Sequence, residues 1–140
     1  QVFVWVTAGK ATVQHLEVVE EPSGKHIFLR LKVPGFQFVP GKWGYLSVPS
    51  ISSVPHPFTL VPHEDDKEIM QFFIKVSGKF TRGLAASNAE QLQARVQGPY
   101  GEPPLPSMRV DAVVFVLGGV GVTPSLSLAI EGRKMCGADR

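Results

Sequence analysis

The chain has 140 residues, 44% of them hydrophobic and 19% charged, with a formal net charge of +2. That balance describes a globular chain rather than a disordered one, long enough for one domain or one domain plus part of another. Lys and Arg are scattered rather than clustered, which argues against a nucleic-acid surface, and a single cysteine, Cys136, excludes an internal disulfide framework and a cysteine-rich metal site.

No basic region precedes an apolar core at the N-terminus, so nothing there reads as a signal peptide. The chain starts at Gln1 rather than Met and is expected to be a piece of something longer. Up to about Gly98 it reads as short strands separated by Pro, Gly and Ser breaks, the pattern of an antiparallel barrel or sandwich. Strands are predicted over residues 2–7, 12–19, 26–33, 43–48, 58–61, 69–76 and 92–96, with a short helix over 79–88. In the third of these, Ile27, Leu29, Leu31 and Val33 share one face, with charge mostly on the other. His63, Glu64, Asp65, Asp66 and Lys67 read as a solvated hairpin loop rather than a metal site, because adjacent side chains converge poorly on one ion.

Gly98-Pro99-Tyr100-Gly101, with Pro103, Pro104 and Pro106 behind it, reads as a stiff linker incompatible with a strand. A boundary is expected near Ser107, dividing the chain into residues 1–108 and 109–140. Beyond it, Val113 to Leu117 form a continuous apolar run, the pattern of a buried parallel strand. Gly118-Gly119-Val120-Gly121 follows, then a predicted helix over residues 123–135 with Pro124 in its first turn, where a missing amide hydrogen costs nothing. Gly119 and Gly121 carry no Cβ, so backbone amides can approach a phosphate at a helix start. A tight strand-to-helix turn that binds nothing needs glycine as well. Residues 112–130 are uncharged, yet three glycines, a proline, a threonine and two serines interrupt them, which favours strand and helix over a membrane span. One strand and one helix cannot bury each other, so this part reads as the opening βα unit of a truncated α/β domain.

Five segments occur in order: Pro40-Gly41-Lys42-Trp43-Gly44-Tyr45-Leu46, His56-Pro57-Phe58-Thr59-Leu60, Gly78-Lys79-Phe80-Thr81-Arg82-Gly83-Leu84, Gly98-Pro99-Tyr100-Gly101 and Gly118-Gly119-Val120-Gly121-Val122-Thr123-Pro124. Together they resemble the ferredoxin-reductase-like flavoenzymes, and the His-Pro-Phe-Thr form resembles their ferric reductase and NADPH oxidase branch. The resemblance implies an all-β antiparallel barrel that binds FAD, followed by the first βα unit of an α/β domain that binds NADPH. It implies FAD contacts from His56, Pro57, Phe58 and Thr59. Phe58 would lie beside the flavin ring and Thr59 would hydrogen-bond near its reactive nitrogen, while His56 stands where the wider superfamily has a phosphate-contacting arginine. Ile74, Lys75, Val76, Gly78 and Thr81 would form the second FAD segment, the last opening a short helix at the pyrophosphate, with Lys79 and Arg82 adding charge. Gly119, Gly121, Thr123 and Pro124 would receive the nicotinamide dinucleotide. On its residues alone, Phe58 reads as ordinary barrel core, His56 equally as a surface histidine beside a proline, and the basic side chains as solvated. Cys136-Gly137 lies in the wrong place for the family's late Cys-Gly segment and takes no role.

The family's chemistry would pass a hydride from NADPH to FAD and single electrons to haem in a preceding transmembrane domain, ending on ferric iron or dioxygen. The chain would then sit at the cytosolic face of a membrane, within an integral membrane protein, with regulatory protein partners also expected. No side chain here is needed as acid, base or metal ligand; the protein supplies position and electrostatics. Alone, the segment is expected to bind flavin weakly and catalyse little. Two other readings remain: a soluble NAD(P)H–flavin reductase feeding an iron-sulfur or haem partner, and a non-catalytic reductase-like interaction module.

Overall fold

The computed structural model describes residues 9–101, 112 and 114–129. Seven strands, β1 (Gly9–Glu21), β2 (Gly24–Lys32), β3 (Trp43–Ser47), β4 (His56–Thr59), β5 (Val61–Pro62), β6 (Ile69–Lys75) and β7 (Ala94–Tyr100), form one antiparallel sheet in the order β4-β3-β7-β1-β2-β6-β5. A seven-residue helix, α1 (Lys79–Ala85), follows β6. Residues 56–62 run directly from one end strand of the sheet to the other, which curls it into a barrel. The interior comes from period-two alternation. Ile27, Leu29 and Leu31 of β2 and Met70, Phe72 and Ile74 of β6 are buried, each contributing about 1.5–3 kcal/mol.

β1 ties the two halves together. Its residues 9–11 pair with β7 and the rest with β2, and a register shift between Val13 and His15 bends the strand.

Three expectations need correction. Gly98-Pro99-Tyr100 is not a linker but the end of β7. Trp43 pairs with Tyr100 and Tyr45 with Gln97, so Gly98 and Pro99 together oppose Gly44 in a bulge, where proline's missing N–H interrupts no ladder. Glycine is required on both sides: a Cβ on Gly44 would lie 2.8 Å from the Gln97 carbonyl oxygen, and Gly98 has φ +149°. Second, the run 58–61 is two strands, because Leu60 turns its fully buried side chain inward and bonds its amide to the Lys42 carbonyl between them. Third, residues 114–117 of the apolar run are neither strand nor buried, with Val114 85% and Val116 95% exposed. A parallel strand takes its hydrogen bonds and its burial from neighbouring strands, and none pairs with this run among the described residues.

The predicted strand over 2–7, the boundary near Ser107, residues 130–135 of the predicted helix and Cys136 lie outside the described residues. Residues 123–129 are helical, behind a 3₁₀ turn at Gly119–Val122. Ser127 fastens this helix to the barrel: its Oγ accepts the Gly41 amide at 2.8 Å and donates to the Pro124 carbonyl at 3.0 Å.

Candidate functional site

The pairing of β4 with β3 decides which side chains of the His-Pro-Phe-Thr segment work together. His56 and Phe58 lie opposite Leu46 and Gly44, both buried, and so point to the core side of the sheet. Pro57 and Thr59 lie opposite Tyr45 and Trp43 and share the other face. From α1, Phe80 (5% exposed) reaches toward β4. Its ring stacks on His56 with centroids 4.0 Å apart and planes 17° apart, and lies 6.2 Å from Phe58 at 29°. Phe58 in turn meets Phe72 edge-on at 6.4 Å. Phe58 packs against the core and is half-buried.

Between β4 and the turn into α1 lies a cavity of about 450 Å³. Phe58, Phe80, Pro57 and Ile51 make one part of its lining apolar, while Ser77, Gly78, Lys79 and Thr81 make the other polar. The structure thus brings together His56, Pro57, Phe58, Gly78 and Thr81 of the predicted site.

The polar turn is held from within. Thr81 Oγ1 accepts the amides of Ser77 (2.9 Å) and Gly78 (3.0 Å) and donates to the Gly78 carbonyl at 3.2 Å. Arg82 Nη1 donates to the Ser77 carbonyl at 2.7 Å. Thr81 and Arg82, two of the side chains foreseen for a phosphate, are engaged in shaping the loop. Lys75 and Lys79 are exposed, and neither forms an ion pair among the described residues.

Other predicted residues fall elsewhere. Thr59 does not line this cavity. Ile74 is 2% exposed in the core, Lys75 points outward opposite His26, and Val76 donates its amide to the Lys25 carbonyl at 2.9 Å. The glycine turn borders a second, largely apolar cavity of about 450 Å³, walled by Gly119, Val120 and Val122 on one side and His26, Phe73 and Ile74 on the other. Gly119 has φ +53°, and Gly121 donates its amide to the Gly118 carbonyl at 3.0 Å. Thr123 is buried with its hydroxyl on the Val120 carbonyl, and Pro124 begins the part-buried side of the helix.

Sequence reasoning missed two aromatic groups. Phe80 sits inside a quoted segment but was assigned nothing, although one apolar residue in a polar turn signals a packing partner. Trp43, Tyr45 and Tyr100 form a half-buried cluster with centroids 5.1–5.6 Å apart, on the face that carries Thr59.

Two observations match the chemistry of FAD, a flat apolar ring system joined to an anionic pyrophosphate. The cavity has an aromatic part and a polar part, the latter carrying the unpaired Lys79, and its volume falls in the range of about 300–1,000 Å³ usual for small-molecule sites. Among the described residues no cluster of His, Cys, Asp or Glu could hold a metal ion, and no helix is long and apolar enough to cross a membrane.

Comparison with known proteins agrees with this geometry. Residues 10–104 match the FAD-binding domain family. Ferric reduction oxidase 4 of Arabidopsis thaliana is 32% identical over 105 residues, which cover 71% of this chain and 15% of that protein. NADPH oxidase 3 of Homo sapiens is 33% identical over 125 residues, covering 80% of this chain and 21% of that protein. The chain therefore spans about 15–21% of the length of these relatives. Among solved structures, ferredoxin-NADP+ reductase from Plasmodium falciparum matches with TM-score 0.69 at 15% identity, over 89% of this chain and 52% of that one. Phthalate dioxygenase reductase matches with TM-score 0.71 at 18% identity, over 94% of this chain and 40% of that one, and both likenesses concern the fold alone. On these findings the chain belongs to the FAD-binding domain family, in the branch of the ferric reduction oxidases and NADPH oxidases, and has the ferredoxin-reductase-like barrel.

Proposed function

We propose that FAD occupies the cavity between β4 and the start of α1, and that this chain is the flavin-binding part of a longer NADPH-dependent oxidoreductase. The observation that carries the proposal is the meeting of two sequence segments, 56–58 and 77–81, around one cavity that is aromatic on one side and cationic on the other. Phe58 packs beside the flavin ring, and His56 and Lys79 face the phosphates. The turn that Thr81 holds supplies the backbone around them. When bound, FAD accepts a hydride and releases electrons singly, which is the chemistry the protein itself lacks.

NADPH is the proposed electron source, with Gly119, Gly121, Thr123 and Pro124 forming part of its site. Haem in a membrane-spanning part of the same protein is the proposed recipient, ferric iron or dioxygen the final acceptor, and the cytosolic face of that membrane the location. The relatives' names and the small share of their length that this chain spans support this reading over a soluble reductase.

The test is titration of the 140-residue chain with FAD, followed by quenching of flavin fluorescence, beside Phe58→Ala and His56→Ala. Saturable binding that both substitutions weaken is expected. Binding that neither substitution alters overturns the site. Failure to bind, repeated with the remainder of the nucleotide domain attached, leaves a reductase-like interaction module as the function.

A further inference from the structure

His56 is held in an unusual way. Its ring makes no hydrogen bond and no ion pair among the described residues, and it stacks on the face of Phe80 at 4.0 Å and 17°. An imidazole donates and accepts in the plane of its ring, whereas a stack covers its face. Phe80 therefore fixes the plane of His56 while leaving both ring nitrogens free to bond something else. Phe80 is suited to this: it is 5% exposed, anchored in α1 one residue after Lys79, and its ring also lies 6.2 Å from Phe58.

We infer that Phe80 is a positioning residue for the phosphate end of the bound dinucleotide, acting through His56. The inference rests on the proposal that FAD fills this cavity. Phe80 touches the phosphates nowhere; it removes the rotamer freedom that a half-exposed histidine on an edge strand otherwise loses on binding. Ordering one such side chain changes affinity by about 2- to 12-fold, which is the effect expected here. Because riboflavin carries no phosphate, the part of the effect that passes through His56 belongs to FAD alone.

The experiment compares the 140-residue chain with Phe80→Leu, Phe80→Tyr, His56→Ala and the double variant His56→Ala/Phe80→Leu. FAD and riboflavin affinities are read by fluorescence titration, and the His56 ring protons by NMR in ligand-free protein. Phe80→Leu weakens FAD by about 2- to 12-fold more than it weakens riboflavin and moves the His56 ring signals downfield as the ring current is lost. Phe80→Tyr restores both, and Phe80→Leu adds no FAD-specific loss once His56 is alanine. Equal losses for FAD and riboflavin, or a full Phe80→Leu effect in the His56→Ala background, overturn the inference and leave Phe80 a wall of the ring site. Should Phe80→Leu not fold, His56 ring protons in the unaltered chain that show no upfield ring-current shift overturn it equally. Failure of the unaltered chain to bind FAD, with the complete nucleotide domain attached, overturns the proposed site and this inference with it. Normal FAD binding by Phe80→Leu overturns this inference alone.

Discussion

Replacing Thr81 by valine separates two roles that the same hydroxyl could have. Valine keeps the shape and removes the oxygen that receives the Ser77 and Gly78 amides and donates to the Gly78 carbonyl. The two amides belong to exposed residues, so water replaces the lost acceptor and each bond is worth the lower part of the usual 0.5–1.5 kcal/mol. The sum, about 1–2 kcal/mol, agrees with the cost of removing a helix N-terminal cap, which is what this arrangement does for α1. For a barrel of this size each kcal/mol lowers Tm by about 4–8 °C. Thermal unfolding of the chain without flavin should therefore show a drop of at least about 4 °C for Thr81→Val, while Thr81→Ser, which keeps the oxygen, stays near the unaltered chain. A hydroxyl kept solely for the pyrophosphate gives the opposite result: unchanged Tm without FAD and weakened FAD binding. That outcome refutes the reasoning, because the loop would then not depend on the bonds seen in it.

Three further outcomes follow from the packing. Gly44→Ala places a methyl 2.8 Å from the Gln97 carbonyl oxygen, with Leu60 behind it at 3.1 Å, and should cost about 1–3 kcal/mol in denaturant unfolding, whereas Gly118→Ala, with nothing within 4 Å, should cost far less. Phe72→Ala empties a fully buried site and removes the edge-on support of Phe58, so a loss of about 3–5 kcal/mol is expected with weaker FAD binding in what remains folded. Ser127→Ala deprives the Gly41 amide of its acceptor, and hydrogen exchange at Gly41 should speed up while amides of β2 and β6 keep their protection; equal protection at Gly41 would show that the helix is fastened elsewhere.

The barrel was legible where the chain alternates. Ile27, Leu29 and Leu31 announce their face because an antiparallel strand with one wet side needs period two, and β2 and β6 appear within a residue or two of their expected limits. The misreadings share one cause, a partner distant in sequence. Pro99 breaks a strand by local rules, yet opposite Gly44 it occupies a bulge that only pairing with a strand some fifty residues earlier creates. Leu60 looks like the middle of one strand because hydropathy does not record that residues 56–62 pass from one edge of the sheet to the other.

The same distinction runs through the site. Period two places His56 and Phe58 on one face and Pro57 and Thr59 on the other, so the four-residue segment does not act as a unit: His56, Pro57 and Phe58 line the cavity with the turn at 77–81, and Thr59 does not. Thr81 was readable as a cap, since a threonine three and four residues after exposed amides commonly bonds them, but the family resemblance drew attention to a ligand instead. Phe80 signals a packing partner as the apolar residue of a polar turn, but which partner could not be read, because it lies on another element and a stacked pair leaves no spacing pattern. Aromatic and cationic chemistry suited to a flavin dinucleotide is thus written in the segments, while the stack of the His56 ring on Phe80 is a contact that only the fold makes.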